Sequence, residues 1–448
     1  MNPGRKLNRK TLWVYVLAIF FAASLHAQDI TGNWQGTITS PQGKPFRMVM
    51  QVTHDDSGAL KARIYSIDQS PEGDWADSIT VQDSTVKFVI GMIQLSFEGK
   101  LSADRNSITG TWTQGSRTPF YFQKSSKATA WALPTDPSSH TVQFVTVEPR
   151  VKLEVLDWGG SGRPLVFLAG LGNTAHVFDT FAPKFIGKYH VYGITRRGFG
   201  ESSYPTPNGD NYSSNRLGDD VLAVIAALKL QKPVLVGHSI AGEELSSIGS
   251  RHPDKVSGLI YLDSGGAYAF YDRARGDLQL DMLDTRDRIE QLLPSGGDPS
   301  GQMQTTEALL ASLPRLERDL QNQLKLLQAI STPSTNRSPP LSPQPPSASA
   351  FSAIFSGEHK YTEIKVPCLA IFAVPHDPSA ILPTDAAHRA AAVAFDLERS
   401  TNLSNAFAEG VPSAQVIRLP NANHYVFRSN EAEVLRAMND FLDKLPQP

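Results

Sequence analysis

Between Asp29 and about Lys124, apolar and polar residues alternate in short runs: Phe46-Arg-Met-Val-Met-Gln-Val52, Leu60-Lys-Ala-Arg-Ile-Tyr65, Val86-Lys-Phe-Val-Ile90 and Ser107-Ile-Thr-Gly-Thr-Trp-Thr113, separated by Gly, Asp, Ser and Pro. A period of two sets one face of a strand on a core and the other in water, so this stretch predicts a small all-β module. From His140 the pattern changes. Val142–Val147 and Val151–Leu156 still read as a hairpin, but Pro164-Leu-Val-Phe-Leu-Ala169 and His190-Val-Tyr-Gly-Ile194 are continuous apolar runs, the signature of parallel strands covered on both faces by helices. Pro233–Val236, Ser257–Leu262, Pro367–Phe372 and Ala414–Leu419 read as further strands, with helical patterns over Leu217–Leu228, Glu243–Ser250 and Ser429–Leu442 between and after them. Alternation of this kind predicts an α/β sheet.

Composition shifts divide the chain further. Residues 1–27 carry Arg5, Lys6, Arg9 and Lys10, an apolar run Leu12–Ala23 and then Ser24-Leu-His-Ala27, the pattern of a secretory signal peptide cleaved after Ala27. The run falls short of the roughly 20 residues that span a bilayer, so the expectation is an exported chain, periplasmic or extracellular, with no stable membrane span after processing. The β module is expected over 28–124 and a Ser/Ala/Pro linker with Pro134 and Pro137 over 125–139. The α/β core follows in two parts, 140–265 and 365–448. Between them, 266–364 is far longer than an ordinary connection and predicts a helical cap. Within it Leu313, Leu316, Leu320, Leu324 and Leu327 fall at helical spacing, expected to pack lid against core, and Ser331–Ser349 is rich in Pro and Ser and expected to be an exposed flexible loop.

The 448 residues are 40% hydrophobic and 19% charged with net charge −2, and loss of the basic leader makes them more acidic, so nucleic acid is not an expected partner. The single Cys368 precludes an intrachain disulfide and a cysteine-based metal site. Neither metal nor cofactor is expected.

The chemistry centres on Val234-Leu-Val-Gly-His-Ser-Ile-Ala-Gly-Glu-Glu-Leu245. A strand, a sharp turn and a helix need small residues two before and two after the turning residue, and Gly237 and Ala241 are small. Ser239 at the apex would project its hydroxyl into solvent while the Ile240 amide, at a helix N-terminus, donates to a developing oxyanion. Gly170-Leu-Gly-Asn-Thr-Ala175 after a strand also fits a dinucleotide fingerprint, but that needs an acidic residue after the next strand, where Thr195-Arg196-Arg197 stands instead. The small residues are better explained by a loop lying against the Ser239 turn, offering the Leu171 amide as a second oxyanion donor.

Taken together, Ala169-Gly-Leu-Gly172, Arg197-Gly-Phe-Gly-Glu-Ser202 and the Ser239 turn make residues from about 140 to 448 resemble an α/β-hydrolase fold serine hydrolase of the esterase-like group, with Ala169 where that family usually has histidine. The glycine-tryptophan pairs Gly32-Asn-Trp34 and Gly110-Thr-Trp112 give the β module a likeness to small lipocalin-like barrels, which a closed sheet would suit. The family's chain order, nucleophile then acid then histidine, implies a triad of Ser239, Asp377 after the Pro367–Phe372 strand, and His424 after the Ala414–Leu419 strand. Serine needs an imidazole to take its proton and a carboxylate to fix the imidazole's tautomer. Asp263, at the end of Leu259-Ile-Tyr-Leu-Asp263, is the rival acid, with Asp385 a remoter one. His238 is expected to pack, His176 to line the pocket or a loop, His376 to be a loop residue, and Glu243 and Glu244 to favour a helix N-terminus. The implied activity is cleavage of an ester or related acyl bond of a small-molecule substrate through an acyl-enzyme. A peptidase, a carbon–carbon bond hydrolase and a non-catalytic ligand-binding protein of the same fold are the alternatives.

Overall fold

The computed structural model describes residues 29–446 apart from 40–44, 56–57, 69–72, 91–94, 115, 134–138, 294–297, 331–349 and 378–385. The expected leader, the Ser331–Ser349 stretch and Asp385 therefore lie outside the described residues.

The alternating N-terminal runs form nine antiparallel strands: β1 (Gly32–Thr39), β2 (Pro45–His54), β3 (Leu60–Ser66), β4 (Asp74–Trp75), β5 (Ser78–Gln82), β6 (Thr85–Ile90), β7 (Leu95–Leu101), β8 (Ser107–Gln114) and β9 (Ser116–Lys124). They pair in the order β4-β3-β2-β1-β9-β8-β7-β6-β5. The two edges, β4 and β5, are consecutive in the chain, and three residues reach only roughly 10 Å. The sheet must therefore curl until its edges nearly meet. Ala76 donates to Ala62 O on one side of the seam (2.9 Å) and Asp77 to Val89 O on the other (2.8 Å). The expected closed barrel is thus a curled sheet bridged by two residues rather than by a continuous ladder. Its concave face is filled by Trp34, Phe88, Phe97, Trp112, Phe120 and Phe122, with neighbouring rings such as Phe120 and Phe122 at 4.6 Å. The Trp34 indole donates to Ile30 O at 2.8 Å, so its one polar atom is satisfied inside the core. The first part of the Ser/Ala/Pro segment stays on this module: Gln35 donates to Thr129 O at 3.0 Å and accepts from the Trp131 amide at 3.1 Å.

The second sheet is built from β10 (Thr141–Glu148), β11 (Val151–Gly160), β12 (Pro164–Leu168), β13 (His190–Ile194), β14 (Val234–His238), β15 (Gly258–Leu262), β16 (Cys368–Ala373) and β17 (Ala414–Leu419), in the order β10-β11-β13-β12-β14-β15-β16-β17. After the opening antiparallel pairs, β13 through β17 run parallel. The helices are α1 (Ser214–Ala227), α2 (Gly242–Arg251), α3 (Leu278–Leu292), α4 (Pro299–Ile330), α5 (Ala350–Ser356), α6 (Ala386–Gly410), α7 (Val426–Ser429) and α8 (Glu431–Leu442). One face of the sheet is covered by Phe178, Phe181 and Phe185 with Val434, Met438 and Phe441 of α8. The other meets Val221 and Val224 of α1, Leu245 and Ile248 of α2 and Phe407 of α6. Covering on both faces explains why β14, β15 and β16 are buried at every position and, His238 at the end of β14 apart, built of apolar residues and glycine.

Helices α3, α4 and α5 occupy the long insertion between β15 and β16. The leucine stripe of α4 does not pack on the core as expected. The helix runs along α3 rather than over the sheet, leaving Leu313, Leu320 and Leu324 42%, 45% and 55% exposed; the Leu327 side chain lies outside the described residues. It is α5 that reaches the core, where Ile354 joins Phe199, Tyr212, Leu217 and Ile240. Among the described residues, no helix is long and apolar enough to cross a membrane.

A buried polar network pins the start of the second sheet. His176 faces Asp179 through Nδ1 (2.9 Å) and Glu154 through Nε2 (3.6 Å), while Asp179 also meets His140 at 3.2 Å and accepts from the Trp158 indole at 2.9 Å. Burial opposes charge on His176, but the hydrogen bond to Asp179 and the charge of Glu154 outweigh it and push the imidazole up to about 10. A histidine raised on folding contributes stability that is complete below its unfolded value and lost as pH rises through the folded one. Wild-type melting temperature should therefore fall as pH is taken from 6.5 towards 10, and His176→Gln should flatten that fall in a differential scanning calorimetry series; an unchanged slope would show that His176 is not charged in the fold.

Candidate active site

The parallel strands set the site by register. His238 ends β14 opposite Leu262 at the end of β15, so the next residues, Ser239 and Asp263, leave adjacent strands side by side. Both adopt a left-handed backbone, φ +55° and +45°, unfavourable for any side chain and held only where the surroundings impose it. Ser264 holds the first turn by donating its hydroxyl to Ser239 O. Small residues are required around it: a Cβ on Gly237 would meet Leu245 at 2.9 Å, and one on Gly242 would meet Ser264 Oγ at 2.4 Å. Ser239 then enters a single 3₁₀ turn and α2, as the strand–turn–helix pattern predicts.

The loop after β12 lies against this turn for the same steric reason. A Cβ on Gly170 would stand 2.8 Å from His238 Nδ1 and 3.1 Å from Ser239 Cβ. Leu171, which follows it, packs with Ile240 beneath α5, and its amide has no backbone acceptor among the described residues. Tyr425 donates to Asn173 Oδ1 at 3.0 Å, tying this loop to the one that carries His424.

The carboxylate at His424 is that of Asp263, not Asp377. Asp263 Oδ2 lies 2.6 Å from His424 Nδ1, and Oδ1 accepts from the Ala373 amide at 2.9 Å. Asp377 sits one strand further along, where its amide donates to Ala422 O at 2.8 Å. The physical reason is register: Asp263 leaves β15 with its amide on Ile371 O and its carboxylate on the Ala373 amide, over the end of β16, where the His376 and His424 rings reach it. Burial raises Asp263, but hydrogen bonds from His376 and His424 overcome it and bring the carboxyl to about 2, so it is charged at neutral pH. The sequence signal for it was present: an apolar strand ending in Asp263 and followed by Ser264-Gly-Gly266.

The remaining candidates are now placed. His238 does more than pack. Burial and the neighbouring His424 push it down to about 3, so it is neutral, and its Nε2 lies 3.1 Å from His424 O, where it donates and fixes the backbone of that loop. His176 belongs to the network under the β12 loop rather than to the pocket. Glu244 takes Arg196 in a bidentate pair (2.6 and 3.0 Å), and Arg196 also donates to Ala169 O. Arg197 is committed to Asp220. The arginines that stand where a dinucleotide site needs its acid are thus consumed in the fold. Glu243 is fully buried with neither carboxylate oxygen hydrogen-bonded, and desolvation drives it strongly towards the neutral acid. An open cavity of about 130 Å³ borders Asp263, Tyr268, His376, Arg399, Leu403 and His424. Outside this site, His140, His176 and Asp179 bring potential ligand atoms together, but at the hydrogen-bonding separations given above.

Residues 165–437 match the model of the alpha/beta hydrolase family. The chain belongs to that family. Curated relatives are similar over shorter stretches: a fluoroacetate dehalogenase of Burkholderia sp is 32% identical over 116 residues, 25% of this chain and 38% of that protein. The AB hydrolase superfamily protein YisY of Bacillus subtilis (strain 168) is 30% identical over 148 residues, 33% of this chain and 54% of that protein. The matches to these two span only 38% and 54% of their lengths. Among solved structures, E-2-(acetamidomethylene)succinate hydrolase aligns with 68% of this chain and 100% of its own at TM-score 0.41 and 23% identity.

Gly170→Ala should force the β12 loop and the Ser239 turn apart, at the cost of about 1–3 kcal/mol usual for overpacking. Urea unfolding checks this, and an unchanged midpoint would mean the two loops do not touch.

Proposed function

We propose that this α/β-hydrolase family member is a serine hydrolase that cleaves an ester or related acyl bond through an acyl-enzyme. Ser239 is the nucleophile, His424 the base and Asp263 the acid. The observation that carries the reading is the 2.6 Å contact between His424 Nδ1 and Asp263 Oδ2, at the end of the strand next to the one that presents Ser239 on a strained turn.

With Nδ1–H held by Asp263, the other ring nitrogen of His424 carries a lone pair. It takes the Ser239 proton as Oγ attacks the acyl carbon, and the imidazolium so formed is stabilised by a carboxylate that stays ionised. Negative charge on the carbonyl oxygen falls to the amides of Leu171 and Ile240, fixed in place before the reaction begins. The imidazolium returns its proton to the leaving group, the carbon–oxygen bond to that group breaks, and water repeats the cycle to free the acid and Ser239. Serine rather than aspartate at the turn supports acyl transfer over the displacement chemistry of a dehalogenase. Helices α3–α5 serve as the cap, with α5 closing over the Ile240 side. The basic, then apolar, leader supports export, and N-terminal sequencing of exported material should begin near Gln28.

A fluorophosphonate probe should label wild-type protein at Ser239, and Ser239→Ala should not be labelled. With an activated ester, Ser239→Ala and His424→Ala should each lose roughly 10⁴ to 10⁶ in turnover, because each disables the same unit. Asp263→Asn should lose about 10⁴ and Asp377→Asn far less. A larger loss in Asp377→Asn than in Asp263→Asn, with circular dichroism unchanged, would reject Asp263 as the acid; persistent labelling of Ser239→Ala would reject the nucleophile.

A further inference from the structure

The oxygen of Asp263 that meets His424 is shared. Oδ2 lies 2.6 Å from His424 Nδ1 and 2.7 Å from His376 Nε2. His376 is itself gripped from behind by α6: its Nδ1 lies 2.9 Å from Asp396 Oδ1, and its backbone amide donates to Asp396 Oδ2 at 2.8 Å. Both ring nitrogens of His376 thus face carboxylate oxygens at hydrogen-bond distance. A neutral imidazole has one N–H and one lone pair, and a lone pair turned on a carboxylate is repulsive. Only the imidazolium donates both ways. We propose that His376 is a positioning residue for the hydrolytic reaction, a standing imidazolium clamped between Asp396 and Asp263 that aims the Asp263 carboxylate at His424 and offsets its charge.

Two consequences follow from the geometry. Asp263 receives three donors, from Ala373, His376 and His424, so its carboxylate has one orientation rather than a choice of rotamers. The charge that His424 meets is also adjusted. His376 is faced by Asp263 from the β15 end, by Asp396 on α6, and by His424 from the loop after β17; Arg399 of α6 and Tyr268 border the same cavity. His424 is flanked in addition by neutral His238. With His376 charged, Asp263, His376 and Asp396 together carry one negative charge opposite His424. In keeping with this, hydrogen bonding to Asp263 outweighs burial and raises His376 to about 9.

The proposal rests on the assignment of Ser239, His424 and Asp263, which probe labelling and the Ser239→Ala variant test separately. Its own test is the acid limb of kcat/KM against pH, measured with p-nitrophenyl acetate on the full mature chain. His376→Gln removes a positive charge and leaves three groups bearing two negative ones, so protonated His424 is favoured and the limb should move to higher pH. Asp396→Asn removes a negative charge and should move it lower. The double variant restores the wild-type sum and should return the limb close to its original place. The His376→Gln shift should be about one pH unit, the size expected of one charge roughly 6 Å away in a half-exposed site, and the Asp396→Asn shift smaller, because that carboxylate lies on the far side of His376. A purely structural role lowers activity in both single variants without opposite shifts, so shifts of the same sign, or none, in variants that fold by circular dichroism overturn the proposal. Should His376→Gln fail to fold, the Asp396→Asn shift and ¹⁵N-histidine spectra of the wild type decide it: His376 must stay doubly protonated at pH 8, and a neutral ring there overturns it.

Discussion

A carboxylate buried as deeply as that of Asp263 is stable only if its oxygens are met by donors, and most of the site can be understood as the set of donors that meet it. The Ala373 amide is supplied by the neighbouring strand through register alone. The two imidazoles come from the loops after β16 and β17, the next strands along the sheet. Because all these strands are parallel, their C-terminal ends lie on one edge, and groups separated by more than a hundred residues in sequence converge there without any long loop having to be ordered. The strain at Ser239 and Asp263 is held by the same edge, since neither turn could keep a left-handed backbone unless flanking strands and small residues over-determined it.

The supporting layer is built from charges placed where their partners are already fixed. Arg196, Glu244 and Ala169 O connect the end of β12 to α2, so the helix that begins beyond Ser239 and the strand that precedes the Leu171 loop move as one body. Removing one partner of such a pair would leave an unpaired buried charge, a larger penalty than the pair's net contribution. His238 acts by a neutral hydrogen bond to His424 O, which sets the backbone of the His424 loop without adding charge beside it. Glu243 remains as a buried acid of α2 without a hydrogen-bond partner.

The β module is joined to the α/β-hydrolase domain by more than the connecting segment. Lys61 reaches out of β3 to donate to Gly200 O at 2.9 Å, with the Trp75 ring 3.9 Å and the Tyr204 ring 4.8 Å from its ammonium. A lysine mostly removed from water needs such partners, and here they come from both domains. The seam where the curled sheet closes, Asp74 to Asp77, therefore faces Gly172, Phe199 and Phe351 across a shallow crevice. Its aromatic interior, by contrast, is filled by its own side chains, which is what a Trp34 buried to 0% exposure implies.

The two sheets, their strand types and the serine turn were legible in the chain alone, because period-two alternation, continuous apolar runs and a small-x-Ser-x-small turn are local consequences of burial and backbone sterics. The place of His424 in a polar loop after the last strand was legible too. Three features were not. Which carboxylate meets His424 depends on how the ends of β15 and β16 lie against the loop after β17, and the tertiary structure brings Asp263 and His376 there. Whether the α4 leucines are covered depends on what lies beside that helix, and periodicity can reveal an apolar stripe but not its partner. Whether the β sheet closes depends on where its edges end in space. Local sequence fixes the conformation each segment prefers; contacts between residues far apart in the chain decide which side chains face one another, and in this protein the carboxylate beside His424, its second imidazole and the seam are all decided there.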